Sequence, residues 1–399
     1  MSGTQGAQEL NTILDLAIKA GASDVHIKAG LHPIVRINGE LRPIKEAARL
    51  TPDQVSKMAY GIMESKRKER FQQKSQIDLA YGVPGLGRFR VNVFQQRGTI
   101  GMVLRIIPFG IKKLKDLRLP QVIGQIAKET RGLILVTGTT GSGKTTTLAS
   151  MIDQINTDRK CHIVTIEDPI ELLHRDKQSI VNQREVGFDT ESFAEALHAG
   201  LRQDPDVILV GEMRDLETVD IALKAADTGH LVLSTLHTID ATETITRIVT
   251  SFPDYQRQQV RLQLASIIKG IICQRLVPTA DGKGRIPAVE ILVSSSRVKE
   301  YIEIPEQTKK LRDAIAEGSE HYGMQTFDQS LMMLFKKKVI SLEVALENCT
   351  NRDNFQLAVS GVSSTADSKT WGDFNKGSAD DDDPDGGASG GYDLEIELF

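Results

Sequence analysis

Apolar positions near the start of the chain change from a helical period to short strand-like runs. Residues 9–20 carry apolar side chains three and four positions apart, which predicts an amphipathic helix that stops at Gly21. Strand-like runs at 25–27 and 34–37 then lead to Asn38-Gly39, a pair that suits a tight hairpin turn. This order of elements predicts that the chain begins with a small mixed unit.

The following segment predicts one helix and three antiparallel strands. Thr51-Pro52-Asp53-Gln54 combines an N-cap, a proline at the first helical position and a capping-box glutamine, so a basic helix is expected to run to about Gln73. Alternating apolar and polar residues, separated by glycines, predict strands at 77–81, 88–94 and 100–107. We therefore predict an N-terminal α+β domain over residues 1–107.

Beyond a lysine-rich stretch at 108–120, which we interpret as a linker, apolar strands alternate with helices. The predicted segments are 132–137, 143–156, 162–167, 190–203, 206–210, 215–228 and 230–236. This alternation predicts a mainly parallel sheet covered by helices, as in an α/β nucleotide-binding domain. Residues from about 253 to 350 are predicted to be largely helical, with one strand-like run at 286–293. We place this second domain at 121–361.

The end of the chain differs from the rest in composition and charge. Residues 362–399 are rich in Gly, Ser and Asp and cannot bury enough apolar surface to offset ordering entropy, which predicts a disordered acidic tail. The segment 360–399 carries ten acids and two lysines, so the formal net charge of -4 divides into -8 for this segment and +4 for the remainder. A body so nearly balanced does not indicate a dedicated nucleic-acid-binding protein.

Cysteine usage and hydropathy indicate the cellular compartment of the protein and how it could associate with a membrane. The three cysteines, Cys161, Cys273 and Cys349, lie far apart and form no C-x-x-C motif, which indicates neither a disulfide framework nor a thiolate zinc site. A reducing cytoplasm is the expected compartment. Because no apolar run approaches the roughly 20 residues that span a bilayer, we expect any membrane association to be peripheral.

A phosphate-binding loop follows the first apolar strand of the second domain. Residues 138–145 match G-x-x-x-x-G-K-[ST] and precede a helical stretch, as this motif requires. Its glycines let backbone N–H groups surround phosphate oxygens, Lys144 reaches the β and γ phosphates, and Thr145 can bind Mg²⁺. The predicted nucleotide-binding residues are Gly138, Thr139, Thr140, Gly141, Ser142, Gly143, Lys144, Thr145 and Thr146.

Acidic residues at the ends of two neighbouring strands are candidates for the metal and for the attacking water. One strand ends in Gly211-Glu212, a single carboxylate where many P-loop enzymes have Asp followed by Glu. A second carboxylate is therefore expected elsewhere, and another strand is followed by Glu167, Asp168 and Glu171. Residue chemistry leaves all three open, beside the alternative that they are solvated acids at a strand end.

Two histidines, His230 and His237, flank the last predicted strand of the alternating region. Their seven-residue spacing, with no cysteine or acid pair nearby, is not a zinc pattern. The remaining interpretations are sensing of the γ-phosphate, a subunit interface, or a purely structural role.

Taken in order, these segments resemble the secretion ATPase superfamily, most closely type IV pilus retraction motors of the PilT/PilU type. The family's Walker A loop, Asp box, atypical Walker B and His box are similar to residues 138–145, 163–171, 204–215 and 228–238. Two further signatures are similar to residues 21–27 and 323–328. The resemblance covers about residues 1–350.

This resemblance implies an architecture and a function. It implies a PAS-like N-terminal domain joined to a RecA-like ATPase, forming a cytoplasmic homo-hexamer at the inner-membrane base of a pilus. ATP and Mg²⁺ are the implied cofactors, an inner-membrane platform protein is the implied partner, and no nucleic acid is expected. The implied activity is ATP hydrolysis that drives pilin disassembly and pilus retraction.

The resemblance also implies roles for individual residues. Glu171 is similar to the glutamate that activates water, and Glu212 to the Walker B acid near Mg²⁺. With Lys144, His230 and His237, the expected catalytic set includes arginines of the N-terminal domain that neutralise transition-state charge. Our candidates for these are Arg90 and Arg105, whose alternative role is that of sheet-surface arginines.

One segment departs from the resemblance. PilT-type motors carry Ala-Ile-Arg-Asn-Leu-Ile-Arg-Glu where residues 296–303 read Ser-Arg-Val-Lys-Glu-Tyr-Ile-Glu. This difference keeps open an accessory paralogue of the PilU kind that works with another retraction motor. Further alternatives are a pilus extension or type II secretion ATPase, a nucleic-acid translocase, and a nucleotide-binding scaffold without turnover.

Overall fold

The computed structural model describes residues 2–37, 39–107 and 110–360. Its helices are α1 Ser2–Lys19, α2 Pro52–Gly61, α3 Ser65–Lys74, α4 Val122–Ile126, α5 Lys144–Asp158, α6 Phe193–Gly200, α7 Leu216–Asp227, α8 Ala241–Thr250, α9 Arg257–Ile267, α10 Ser296–Glu303, α11 Leu311–Glu317, α12 Ser319–Tyr322, α13 Phe327–Lys336, α14 Leu342–Asn348 and α15 Arg352–Val359. Its strands are β1 Asp24–Lys28, β2 Ile34–Ile37, β3 Glu40–Pro43, β4 Gln76–Val83, β5 Gly87–Gln96, β6 Thr99–Ile107, β7 Gly132–Thr137, β8 His162–Glu167, β9 Ile180–Glu185, β10 Val207–Val210, β11 Leu231–Leu236, β12 Ile268–Pro278 and β13 Arg285–Val293.

The first sheet is antiparallel and has the strand order β3-β2-β1-β6-β5-β4. Helix α1 is buried along the predicted face, where Leu10, Ile13, Leu14 and Ala17 are at most 5% exposed. These side chains share a core with Phe71 and with inward-facing residues of the sheet. The helix at 9–20 and the three strands between residues 77 and 107 are therefore confirmed.

The prediction of one continuous helix up to Gln73 is wrong. The capping box is present, because the Thr51 hydroxyl accepts from Gln54 N–H and the Gln54 side chain accepts from Thr51 N–H. However, α2 ends at Gly61, a residue with weak helix propensity, and α3 begins at Ser65. The break turns Met63 into the core, where it is 5% exposed.

The second sheet has the order β13-β12-β7-β11-β10-β8-β9, and every neighbouring pair is parallel except β12 with β13. The predicted mainly parallel sheet with helices is thus confirmed, and the chain has a mixed α/β fold. The helix expected at 190–203 is shorter, since α6 spans Phe193–Gly200.

Two strands of this sheet were not predicted. β12 lies within the region that was expected to be helical. Its apolar run has no period that distinguishes a buried strand from a buried helix, so the strand was missed. β9 is an edge strand of mostly polar residues, and its Ile180 is 62% exposed. These strands extend the sheet on both sides and bring distant segments to the site.

Two expectations, the hairpin turn at 38–39 and the C-terminal tail, fall wholly or partly outside the described residues. β2 and β3 pair with Ile37 opposite Glu40, but Asn38 lies outside the described residues, as does the tail at 362–399. The segment interpreted as a linker contains a short 3₁₀ helix, Leu114–Leu117. Among the described helices, none is both long and apolar enough to cross a bilayer.

Candidate functional site

The site lies where the parallel strands of the second sheet end, the usual place for ligands in such sheets. The loop between β7 and α5 turns through three glycines with positive φ, Gly138, Gly141 and Gly143. A Cβ at Gly138 would stand 2.4 Å from the Gln274 carbonyl oxygen and 2.7 Å from Ser142 Oγ, so only glycine fits there. The loop therefore presents its backbone and the N-terminus of α5 to a phosphate group.

The Lys144 amine is held by the loop itself. Its Nζ donates to the carbonyl oxygens of Gly138 at 2.8 Å and Thr139 at 3.1 Å. Burial lowers the pKa of Lys144, and the nearby charges of Glu212 and Glu171 act in the opposite direction. The amine is thus positioned over the loop, close to two carboxylates that face the same space.

Glu212 follows β10, and each of its carboxylate oxygens has a partner. Oε2 lies 2.8 Å from the Arg214 guanidinium, and Oε1 lies 3.2 Å from His237 Nε2. The residue before it, Gly211, donates to the Ile166 carbonyl at 2.7 Å, and a Cβ there would stand 3.1 Å from that oxygen. A side chain at position 211 would therefore crowd the backbone of β8.

The three acids after β8 have different surroundings. Glu167 is 9% exposed and accepts from the Thr165 hydroxyl at 2.7 Å and the Gln183 amide at 3.0 Å. Burial raises the pKa of Glu167. All three acids line the cavity in front of the phosphate loop; Asp168 and Glu171 are exposed, and Asp168 lies 3.9 Å from Arg214. Asp168 and Glu171 are therefore both accessible to a water molecule in this cavity, and the charge of Glu171 also acts on Lys144.

One cavity of about 660 Å³ joins the predicted residues to others. Its walls include Thr140, Gly141, Gly143, Lys144, Thr145, Thr146, Glu171, Glu212 and His237. A second cavity of about 720 Å³ lies on the other side of Thr146 and is lined by Gln274, by Arg118 and by the start of β13. Arg285 lines both cavities, so they form adjoining parts of one cleft.

The oxygen donors suit a magnesium ion. Thr145 and Glu212 line the same cavity, and Mg²⁺ is usually bound by one or two protein oxygens together with substrate phosphates. Within residues 2–37, 39–107 and 110–360, no group of three or more His, Cys, Asp or Glu is arranged for a metal. Thr145 and Glu212 are the residues of this cavity that could hold such an ion beside a bound phosphate.

The two histidines lie at opposite ends of β11. His237 follows the strand and reaches Glu212, but His230 precedes it and donates from Nδ1 to the Ala225 carbonyl at 2.9 Å. A six-residue strand separates their backbones by about 20 Å. His230 therefore lies outside the cavity of its own chain.

The two candidate arginines lie on the first sheet, directly opposite each other in the pairing of β5 with β6. Arg105 donates from Nε to Asp24 at 3.0 Å and is 69% exposed. Neither Arg90 nor Arg105 lines either of the two cavities described above.

Comparisons with known proteins agree with this geometry. Residues 5–344 match the family described as type II/IV secretion system protein. The chain belongs to this family. It is 43% identical over 347 residues to the type IV pilus retraction ATPase PilT of Pseudomonas aeruginosa, covering 87% of this chain and 100% of that protein. It is 39% identical over 381 residues to the type IV pilus ATPase PilU of the same organism, covering 95% and 99%.

A solved structure of a secretion ATPase shows the same fold. The crystal structure of the pilus retraction motor PilT with bound ADP matches with a TM-score of 0.76 and 49% identity, covering 86% of this chain and 97% of that one. The mixed α/β fold of this secretion system family member is therefore shared along most of its length.

Sequence reasoning missed several residues that line the site of this family member. Arg214 stands two residues after Glu212, and its position beside a candidate acid was a usable signal. Arg285 had no local signal, because only the unpredicted β12 carries the chain back to the phosphate loop and leads into β13. His174 also lines the cavity, and burial lowers its pKa to about 4, which keeps the imidazole neutral.

Proposed function

We propose that this chain is an ATP-hydrolysing motor that powers the retraction of type IV pili. The observation that carries this proposal is the single cavity that joins Lys144 and Thr145 to Glu171 and Glu212. The similarity to a pilus retraction ATPase over that protein's full length supports it. Its substrate is ATP with Mg²⁺, and its output is mechanical work on pilin subunits.

The nucleotide is proposed to lie along the cleft. Its phosphates occupy the loop at 138–145, and its base and ribose extend into the adjoining cavity beside Gln274 and Arg285. Thr145 and Glu212 are proposed to hold Mg²⁺, which would neutralise charge on the phosphates. Lys144 then exchanges its two backbone carbonyl acceptors for phosphate oxygens.

Glu171 is proposed to orient and deprotonate the attacking water. It is exposed in the cavity and close enough to Lys144 for their charges to interact. Glu167 is buried and hydrogen-bonded, so it is a poor candidate for that role. His237 and Arg214 hold both oxygens of Glu212 and thereby fix the acid beside the phosphate loop.

We propose that the working form is a homo-hexamer. Neither Arg90 nor Arg105 lines either of the two cavities, which fits arginines that serve a neighbouring subunit. His230, also outside the cavity, is assigned to an interface between subunits. We further propose that residues 1–107 form a PAS-like domain and residues 121–361 a RecA-like ATPase domain, joined by a linker at 108–120.

The proposed ring lies in the cytoplasm against the inner membrane. Its partner there is the platform protein at the pilus base, and no nucleic acid takes part. Deleting the gene tests the direction of movement, because loss of a retraction motor leaves surplus fibres on the cell. Loss of fibres after deletion, restored by the wild-type gene, would instead assign the chain to pilus extension.

An accessory motor is the second candidate. The P. aeruginosa PilU aligns with 95% of this chain, compared with 87% for PilT, and residues 296–303 depart from the PilT-type signature. An accessory motor works with a second retraction ATPase in the same cell. Expressing this chain alone in a strain without any retraction ATPase separates the two candidates, since only an independent motor restores retraction.

A further inference from the structure

Arg88 connects the first sheet to the edge of the second. Its guanidinium lies 2.9 Å from Glu185 Oε2, and the two side chains are only 20% and 12% exposed. Arg88 belongs to β5 and Glu185 is the last residue of β9. Because both charges are largely shielded from water, their attraction is screened less than in the exposed pairs, and removal of one partner leaves the other charge uncompensated.

Glu185 also contacts the loop that carries Glu171. The same Oε2 atom accepts from the backbone N–H of Ile170 at 3.4 Å. Ile170 is 1% exposed and immediately precedes Glu171. The neighbouring Val186 N–H donates to the Glu167 carbonyl at 2.9 Å. The end of β9 therefore supports the backbone of residues 167–171.

A second contact joins the same two parts of the chain. The Phe188 ring has the guanidinium carbon of Arg67 4.0 Å from its centroid and that of Arg88 at 5.5 Å. Arg67 lies on α3, so two separate elements of the N-terminal unit approach one aromatic residue. Cation–π contacts of this kind hold the N-terminal unit against the turn that follows β9.

Arg88 also shares a sheet face with the candidate arginines. Positions two apart on a strand point to the same side, which places Arg88 and Arg90 together, with Arg105 opposite Arg90. A shift of the N-terminal unit that breaks the Arg88 contact would thus move this whole face relative to Glu171.

We propose that Arg88 is a positioning residue that couples the placement of the N-terminal unit to the catalytic loop through Glu185. With the pair formed, Ile170 is held and Glu171 stays directed into the cavity. With the pair broken, the loop loses one support and hydrolysis slows. This inference rests on the proposed function, in which Glu171 activates water.

The test compares full-length Arg88→Met, Glu185→Gln and the double variant in steady-state phosphate release. Glu185→Gln retains an oxygen that accepts from Ile170 but loses the charge that binds Arg88. We expect each single change to lower kcat about 10-fold to 100-fold, the range for small misplacements of catalytic groups. KM for ATP should stay within about twofold, because the phosphate loop is untouched.

The double variant decides whether the two residues act together. If Arg88 acts through Glu185, the double variant is no slower than the slower single variant. Independent effects that multiply would overturn the proposal, as would unchanged kcat in Arg88→Met. Arg42→Met is the matched control, since Arg42 pairs with Glu40 on the same sheet with 59% and 71% exposure.

A second readout does not depend on turnover. Hydrogen exchange of the peptide covering 167–172 should become faster in Arg88→Met and remain unchanged in Arg42→Met. Equal exchange in both variants contradicts the coupling even if the protein is an ATPase. Absence of phosphate release from the wild type, with faster exchange in Arg88→Met, would reject the proposed function and leave the structural link intact.

Discussion

His237 Nε2 lies 3.2 Å from Oε1 of Glu212, whose other oxygen is bound by Arg214. The two residues come from the ends of adjacent parallel strands, β11 and β10, and share no sequence motif of their own. Through this contact, His237 touches Glu212, the proposed magnesium ligand. It also distinguishes His237 from His230, which lies at the far end of β11.

Removing this imidazole should impair turnover without unfolding the protein. We expect His237→Ala to lower kcat about 10-fold to 100-fold, because Glu212 loses one of the two partners that orient it. His237 is 46% exposed at its side chain, so its loss leaves no buried cavity. Steady-state phosphate release measures the effect, with His321→Ala as an exposed histidine control. Equal rates of phosphate release in the two variants would show that His237 does not contribute to turnover.

Gly211 should resist replacement by the aspartate that many P-loop enzymes carry at this place. A Cβ would stand 3.1 Å from the Ile166 carbonyl oxygen, so Gly211→Asp should destabilise the fold by about 1 to 3 kcal/mol. Thermal unfolding followed by circular dichroism measures this loss. Gly82→Asp is the control, since nothing lies within 4 Å of a Cβ there. A Gly211→Asp protein as stable as the Gly82→Asp protein would contradict the crowding argument.

Glu290 should make stability depend on pH. Burial raises its pKa from 4.5 to about 7, while its Oε1 accepts from the N–H of Ala241 at 2.9 Å. Because the folded state favours the protonated carboxyl, its contribution to stability is fully present below pH 4.5. That contribution is lost as the pH rises through about 7. A shift of this size corresponds to about 3 kcal/mol.

The matched variant for this prediction is Glu290→Gln, which retains an acceptor for Ala241. Between pH 5 and pH 8, the wild type should lose about 2 to 3 kcal/mol of unfolding free energy relative to Glu290→Gln. Urea titrations at both pH values provide the comparison. Parallel stability curves for the two proteins would show that Glu290 does not titrate in this range.

The arginines of the first sheet should act on a neighbouring subunit. An Arg90→Ala, Arg105→Ala double variant has an intact cavity, and a Glu171→Gln variant has intact arginines. Each alone should hydrolyse ATP at least about 100-fold more slowly than the wild type. Mixed rings of both should regain activity, because some cavities receive arginines from one chain and Glu171 from the next. Mixtures as inactive as the separate variants would contradict this arrangement.

Local patterns were sufficient for the first helix, most strands and the phosphate loop. The spacing of Leu10 and Leu14 was enough to predict a buried helix face, and both side chains are buried. The spacing of the glycines at 138–143 was enough to predict a tight loop, and Gly138, Gly141 and Gly143 have positive φ. β12 was missed because its apolar run has no period that distinguishes a strand from a helix. Without β12, the approach of Arg285 and Gln274 to the loop had no basis in the sequence.

Long-range contacts account for the remaining differences at the site. His230 and His237 stand seven positions apart in the chain, but the strand between them carries only one of them to the cavity. Likewise, Glu167 and Glu171 are close in sequence, and the hydrogen bonds of Gln183 and Thr165 separate their environments. Such differences depend on β9 and on strand direction, which local periodicity does not specify.

Steady-state phosphate release from full-length Glu171→Gln and Glu167→Gln tests the central claim most directly. Both variants remove one carboxylate from the same segment, but only Glu171 is exposed in the cavity. We predict that Glu171→Gln loses at least about 100-fold in kcat and that Glu167→Gln stays within about threefold of the wild type. Wild-type turnover by Glu171→Gln, or equal losses in both variants, would contradict the proposed role of Glu171.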